Sequence, residues 1–117
     1  MHTAPKNNSF IALEKATAAA SIALALSLSV PSRMRPLADQ LIRCSSSVPA
    51  NLSEGHGRSG KSRRHLWQIA YGSAKESDVF LTLLTASGAV DQKLAQQAMS
   101  LLDEVRAMIW RLLHPMR

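Results

Sequence analysis

At 117 residues the chain is long enough for one domain with its own core, and it needs neither a disulfide nor a metal to hold that core together. Hydrophobic residues make up 46% and aromatic residues only 4%, so the core must be Leu, Ile, Val, Met and Ala; this suits helices and excludes an aromatic-rich β-sandwich or barrel. The single cysteine, Cys44, forms no internal disulfide and fits a cytoplasmic chain, and the net charge of +6 points towards acidic partners such as nucleic acid.

Residues 1–8 read as a disordered lead-in, and a first helix is expected over 9–30, with Ser9 as its cap. From Ala16 to Val30 this segment carries no charge. A secretory signal needs a positive region ahead of its apolar run, but Glu14 sits beside Lys15 at the head of this one. The run is also too short for a membrane span, which takes ~20 apolar residues, so no membrane contact is expected. Packing accounts for it better. Ile11, Ala18, Ile22, Ala25 and Leu26 fall on one face at helical spacing, and Leu13, Ala20, Leu24 and Leu28 form a second stripe. A helix apolar on nearly all sides must be buried on nearly all sides, so the second stripe is expected to meet another subunit.

Pro31 ends this helix, and a second is expected over 36–55 with Pro36 in its first turn. Leu37, Leu41, Cys44 or Ser45, Val48 and Leu52 give its core face, and Pro49 within it predicts a kink near Ser45. Gly55 and Gly57 are expected to close it in left-handed capping conformations. The third helix, over 60–87, packs through Leu66, Ile69, Ala70, Ser73, Ser77, Phe80, Leu81 and Leu84, with Gly72, Val79 and Leu83 as an outer stripe. Gly88 ends it, and Asp91 opens a fourth over 91–113. That helix packs through Leu94, Ala98, Leu101, Leu102, Val105, Met108, Ile109 and Leu112, leaving Met99 and Trp110 off the core face. The fold expected is all-α: an antiparallel up-down four-helix bundle over residues 9–114.

Gly55 to Ser62, GHGRSGKS, matches the phosphate-loop pattern in which backbone amides cradle phosphates, Lys61 reaches the terminal phosphates and Ser62 holds magnesium. That site needs a buried strand in front of it, whereas the residues before Gly55 read as a proline-containing helix. Nucleotide hydrolysis is set aside on that ground. What survives is a cationic stretch: between His56 and His65 stand Arg58, Lys61, Arg63 and Arg64 with no acid, at the start of a helix that favours anions. Such a cluster suits phosphate backbones without sequence preference; a solvated turn that aids solubility is the plainer account. No metal site is expected, because no two histidines are spaced i, i+4 and there is no second cysteine, and no cofactor is expected either. Pro49, Asn51, Glu54, Gly55 and Gly57 are read as a structural junction, with Glu54 pairing with Arg58 across a turn.

SSSVPANLSEGHGR, followed by IAYGSAKES, resembles the small four-helix-bundle proteins encoded in intervening sequences of bacterial large-subunit ribosomal RNA genes. The family's positions fall on Arg43, Ser47, Pro49, Asn51, Glu54, Gly55, Gly57 and Arg58, then on Gly72, Ser73 and Glu76, within a match covering about Ile11 to Leu113. The resemblance implies an up-down bundle assembled as a ring of five subunits with no established enzymatic activity. It also implies a distant likeness to the basic, nucleic-acid-binding accessory protein of diversity-generating retroelements. The function expected is that of a non-enzymatic cytoplasmic homo-oligomer presenting Arg58, Lys61, Arg63 and Arg64 to RNA or DNA. The alternative is a structural or protein-interaction module with no nucleic-acid role.

Overall fold

The computed structural model describes residues 8–116; of the lead-in expected over residues 1–8, residues 1–7 lie outside the described residues, and Asn8 is already the first residue of a helix. Four helices follow one another: α1 Asn8–Ser27, α2 Arg35–His56, α3 Gly60–Ala86 and α4 Gln92–Leu113, with one 3-10 turn, Ser32–Met34, before α2. Among the described residues there is no strand. The helices form a four-membered cycle in which α1 and α3 each pack on both α2 and α4.

Leu41, Val48, Leu52, Leu81, Leu84, Leu102, Val105 and Ile109 supply the bulk of the core. Helix α1 contributes almost none of it and corrects the sequence expectation. Its buried face is Ala12, Ala16, Ala19, Ala20, Ala23 and Leu26, whereas Ala18 and Ala25 are exposed and Ile11 and Ile22 only partly buried. A helix this uniformly apolar carries no periodic instruction about which side faces in. Small side chains settle it, because a stripe of alanines lets α2 and α4 approach closely and fill the space with their own leucines and valines. The larger residues are left outside: Leu24 is 43% and Leu28 83% exposed. By length and composition alone α1 would suffice to cross a membrane; here it forms one side of the bundle, tied to α4 by a Lys15–Glu104 ion pair of 2.5 Å.

In α2, Leu41, Cys44, Ser45, Val48 and Leu52 are buried as their spacing predicts, and the helix runs unbroken through Pro49. In α3 the expected face is displaced at its start: Trp67 is buried and Ile69 exposed. In α4 Ala95 takes the inner position that Leu94 was expected to hold.

The helix ends explain themselves by where their last carbonyls go. Helix α1 stops at Ser27, short of Val30, because the residue before Pro31 is driven from the helical region. Arg35, at the start of α2, donates from Nη1 to the Ser27 carbonyl at 3.1 Å. Helix α3 ends differently: Gly88, at φ 75°, gives a paired cap in which the Ala89 amide donates to Leu84 O (3.1 Å) and the Gly88 amide to Thr85 O (3.0 Å). Asp91 caps α4, its carboxylate accepting from the Leu94 amide at 2.9 Å.

The α2–α3 seam is polar along one edge. Ser73 donates to Ser47 Oγ at 2.9 Å, and Asn51 donates from Nδ2 to Ser47 Oγ and Ser47 O, both at 2.9 Å. One step further along, Ser77 Oγ lies 3.3 Å from Cys44 Sγ. Beyond Asn51 the seam ends at Gly55, which also corrects the expectation. Neither Gly55 nor Gly57 is left-handed; Gly57 has φ −84° and ψ 0°, and the left-handed residue of this junction is Gly60, at φ 58°. Gly55 is needed for space: a Cβ there would come within 2.6 Å of Trp67 Cδ1 and closer still to Nε1. Gly55→Ala is therefore expected to lower unfolding stability by about 1–3 kcal/mol through overpacking. Gly57→Ala, whose Cβ would meet only Glu54 O at 3.6 Å, should be neutral or stabilising by about 0.5 kcal/mol, read by urea denaturation of the two variants side by side.

Candidate nucleic-acid interface

One end of the bundle gathers the start of α1, the end of α2, the start of α3 and the end of α4. The four cations singled out from the sequence all sit there, but they are used differently. Arg63 donates from Nε to Gly55 O at 3.0 Å and from Nη2 to His56 O at 3.4 Å, covering the last carbonyls of α2. Its guanidinium also lies over the Trp67 ring, 5.4 Å from the centroid. Arg64 reaches the other way and donates from Nη1 to Leu113 O, at the end of α4, at 2.7 Å. Arg58 pairs with Glu54 Oε1 at 2.9 Å across one exposed turn, a contact worth ~0.5 kcal/mol or less in water. Lys61 is exposed and has no hydrogen bond or ion pair among the described residues.

Neighbouring arginines thus hold two helix C-termini from the first turn of a third helix. Cations at a helix N-terminus oppose its dipole, so local preference would not put them there; the carbonyls of α2 and α4 supply the reason. Pro49 and Asn51 lie along the seam, Glu54 faces solvent, Gly55 is buried and Gly57 caps α2. The phosphate-loop reading of Gly55 to Ser62 has no geometric support, because Gly55 lies inside a helix and no strand precedes it among the described residues. No group of three or more His, Cys, Asp or Glu residues able to hold a metal occurs among the described residues.

A cleft of about 430 Å³ opens at this end between Ser9, Phe10, His56, Arg63, Trp67 and Leu112. Trp67 forms its floor and donates from Nε1 to Leu52 O at 3.3 Å. His56 packs between the Phe10 ring (centroids 4.6 Å apart) and the edge of Trp67 (6.1 Å), and its Nε2 is buried with no hydrogen-bond partner among the described residues. Burial first, and the Arg63 charge second, hold the imidazole below its ordinary value near 6.5, against a smaller upward pull from the Ser9 backbone. In the seam, burial chiefly, with the Glu76 charge, pushes the Cys44 thiol up against the lowering effect of Ser77, so it stays protonated and unreactive.

The chain fold also brings residues here that the sequence reading left elsewhere. Trp110 is half exposed, and His114 stacks on it with centroids 4.2 Å apart at 21°, pinned by a 2.9 Å contact between Nδ1 and Trp110 O. The only sequence signal was an aromatic–histidine i, i+4 pair at the end of a helix; nothing local linked it to Arg64, which bonds the neighbouring Leu113 from 49 positions earlier in the chain.

Two outcomes follow from these contacts. Arg63→Ala is expected to cost about 1–3 kcal/mol of unfolding stability by uncovering the α2 carbonyls, while Lys61→Ala changes it by less than about 0.5 kcal/mol. For His56 the folded value lies below the unfolded one, so the unfolded chain binds the proton more readily. Its contribution is complete above the ordinary value near 6.5 and is lost as pH falls through the lowered folded value. Urea midpoints measured down through that range should drop more steeply in the native protein than in His56→Phe.

No curated protein matches the chain. Among solved structures it is similar to a protein of unknown function from the S23 ribosomal protein family of Bacteroides thetaiotaomicron, with a TM-score of 0.82 over 92% of this chain and 99% of that one at 16% identity; at that identity the likeness is one of fold. The sequence model of the 23S rRNA-intervening sequence protein family matches residues 8–111, from the first residue of α1 to within the last turn of α4. The chain belongs to the 23S rRNA-intervening sequence protein family.

Proposed function

We propose that the protein is a non-enzymatic, cytoplasmic homo-oligomer of antiparallel up-down bundles that binds RNA or DNA through a basic end. Paired contacts support the antiparallel course: Cys44 with Ser77, Ser47 with Ser73 and Leu52 with Trp67 between α2 and α3, and Arg64 with Leu113, Asp78 with Arg106 and Thr82 with Met99 between α3 and α4. In each series numbers rise on one helix as they fall on the other.

The observation that carries the assembly is a pair of exposed apolar patches. Leu24 and Leu28 stand out on α1, Val79 and Leu83 on α3, and these two helices are diagonal in the bundle. Both patches lie towards the end away from the basic cluster. Two different patches on opposite flanks fit a head-to-tail contact, which closes into a ring when the rotation per subunit allows. Five subunits is the number the family resemblance implies. In such a ring every basic end faces the same way, and weak phosphate contacts multiply. A second reading, a structural or protein-interaction module, draws on the internal use of Arg58, Arg63 and Arg64.

Light scattering of the native protein should give a mass several times that of one chain. Leu24→Glu with Leu28→Glu, and separately Val79→Glu with Leu83→Glu, should each give monomers, while an equimolar mixture gives dimers, because each variant keeps one intact patch. A native monomer would refute the ring. For nucleic acid, RNA and DNA binding should fall steeply between low and high salt. It should weaken in Arg58→Gln with Lys61→Gln, which spares the two arginines that hold helix ends. Absence of binding at low salt, with protein partners that persist in lysate after nuclease, would establish the second reading instead.

A further inference from the structure

We infer that the furrow between the N-terminal half of α3 and the C-terminal half of α4 holds single-stranded nucleic acid, with a base stacked on Trp110; the inference rests on the nucleic-acid reading above and specifies its substrate. From Lys61 to Lys75 and from Val105 to Met116 the sequence contains no acidic residue, yet these stretches carry Lys61, Arg63, Arg64, Lys75, Arg106 and Arg111. Far apart in the chain, the two stretches are side by side in the fold. The Arg64–Leu113 hydrogen bond (2.7 Å) and the Arg106–Asp78 ion pair (3.6 Å) fix their register at both ends.

Arg64, Tyr71 and Asp78 recur every seven residues and share one flank of α3, as Met99 and Arg106 do on α4. Tyr71 therefore lies midway between the two fixed contacts, with the Lys75 ammonium 6.0 Å from its ring centre. Trp110 stands one turn from Arg106 on the same flank of α4. Cations thus flank both rings of the furrow; Tyr71 is half-buried against the core and Trp110 is exposed, so the furrow offers charge for a backbone and one open flat face for an unpaired base.

Trp110 is prepared for that role. It is 50% exposed, where a core tryptophan such as Trp67 is 6%. His114 covers one side of the indole and is itself held by the Trp110 carbonyl, so the pair is ordered before any base arrives. Arg64 covers the Leu113 carbonyl, which masks part of the negative pole that the end of α4 would otherwise present to a phosphate. A duplex keeps its bases stacked inside and can use only the charge; a single strand can use both.

The protein has two tryptophans, and the other is buried, so a change in emission on adding nucleic acid that is lost in Trp110→Ala reports on Trp110, with Trp67 as the constant background. The probes are oligouridylate and oligothymidylate and a duplex of equal length, titrated at two salt concentrations. Single strands are expected to quench emission and the duplex to leave it nearly unchanged. Trp110→Ala should weaken single-strand binding about tenfold while leaving duplex binding and the salt dependence as they were, and Trp110→Phe should retain most of the affinity. Equal binding of single strand and duplex, both indifferent to Trp110→Ala, would overturn this inference and leave the basic-end reading standing. Loss of all binding at low salt would sink both. A Trp110→Ala protein that scatters as a monomer would make Trp110 a subunit contact and overturn the inference as well.

Discussion

The indole of Trp67 lies against α2 so closely that residue 55 can have no side chain, and the junction at this end of the bundle depends on that contact. With the ring seated, its Nε1–H meets the Leu52 carbonyl, Arg63 lies over its face and reaches the end of α2, and His56 is trapped against its edge. Four residues are placed by one missing Cβ. The same contact displaces Ile69 to the surface, since a single face of α3 cannot seat both side chains at that level. An interior packed this densely responds to a single added carbon, which makes Gly55 a packing residue and removes it from the chemistry of the loop.

The second constraint is the accounting of helix ends. Each helix leaves unpaired carbonyls at its C-terminus, and three of the four ends here receive an arginine from the first turn of another helix: Arg35 on Ser27, Arg63 on Gly55 and His56, and Arg64 on Leu113. Only α3 uses a left-handed glycine, Gly88, for the purpose. Arginine ties one helix to another, whereas glycine only stops a helix. The junctions are therefore interhelical hydrogen bonds, and the short links between helices need little structure of their own. The polar ladder of Asn51, Ser47 and Ser73 does similar work inside the α2–α3 seam. Ser47, Asn51, Gly55 and Ser73, which carry the family resemblance in the sequence, all sit on this seam.

How much of this was legible in the sequence varies with the strength of its periodicity. Helix α2 alternates apolar and polar residues at clean helical spacing, and its core face could be read directly. Helix α1 is apolar on every side, so its inward face is decided by the size of its partners' side chains, which a single segment does not encode. That is why Ala12, Ala16, Ala19 and Ala23 are buried while Leu24 and Leu28 are not. The glycines misled for a related reason: Gly55 and Gly57 have the composition of a left-handed stop, and only the position of Trp67, twelve residues on from Gly55, reveals a steric role. The cationic cluster was legible as charge, but its partners were carbonyls in other helices. Trp110 and His114 were legible as residues and not as a site, because the register of α3 against α4 puts them beside Arg64.

That register bears on what the remaining charge is for. Solubility asks for a charged surface with both signs interspersed and for no particular helix position. Placing cations in the first turns of α3 opposes the helix dipole, so some interaction must offset the cost. For Arg63 and Arg64 the offset is visible in the carbonyls they cover. Lys61 has no hydrogen bond or ion pair among the described residues, and Lys75 has an aromatic ring beneath it. Between these two lysines α3 has no carboxylate, and neither has the half of α4 that lies beside it. A surface serving solubility alone would intersperse acids there, as the far half of the same furrow does with Asp78 and Asp103 around Arg106. The change from mixed charge to pure cation along one furrow, beside the exposed Trp110, is what the proposed single-strand surface requires.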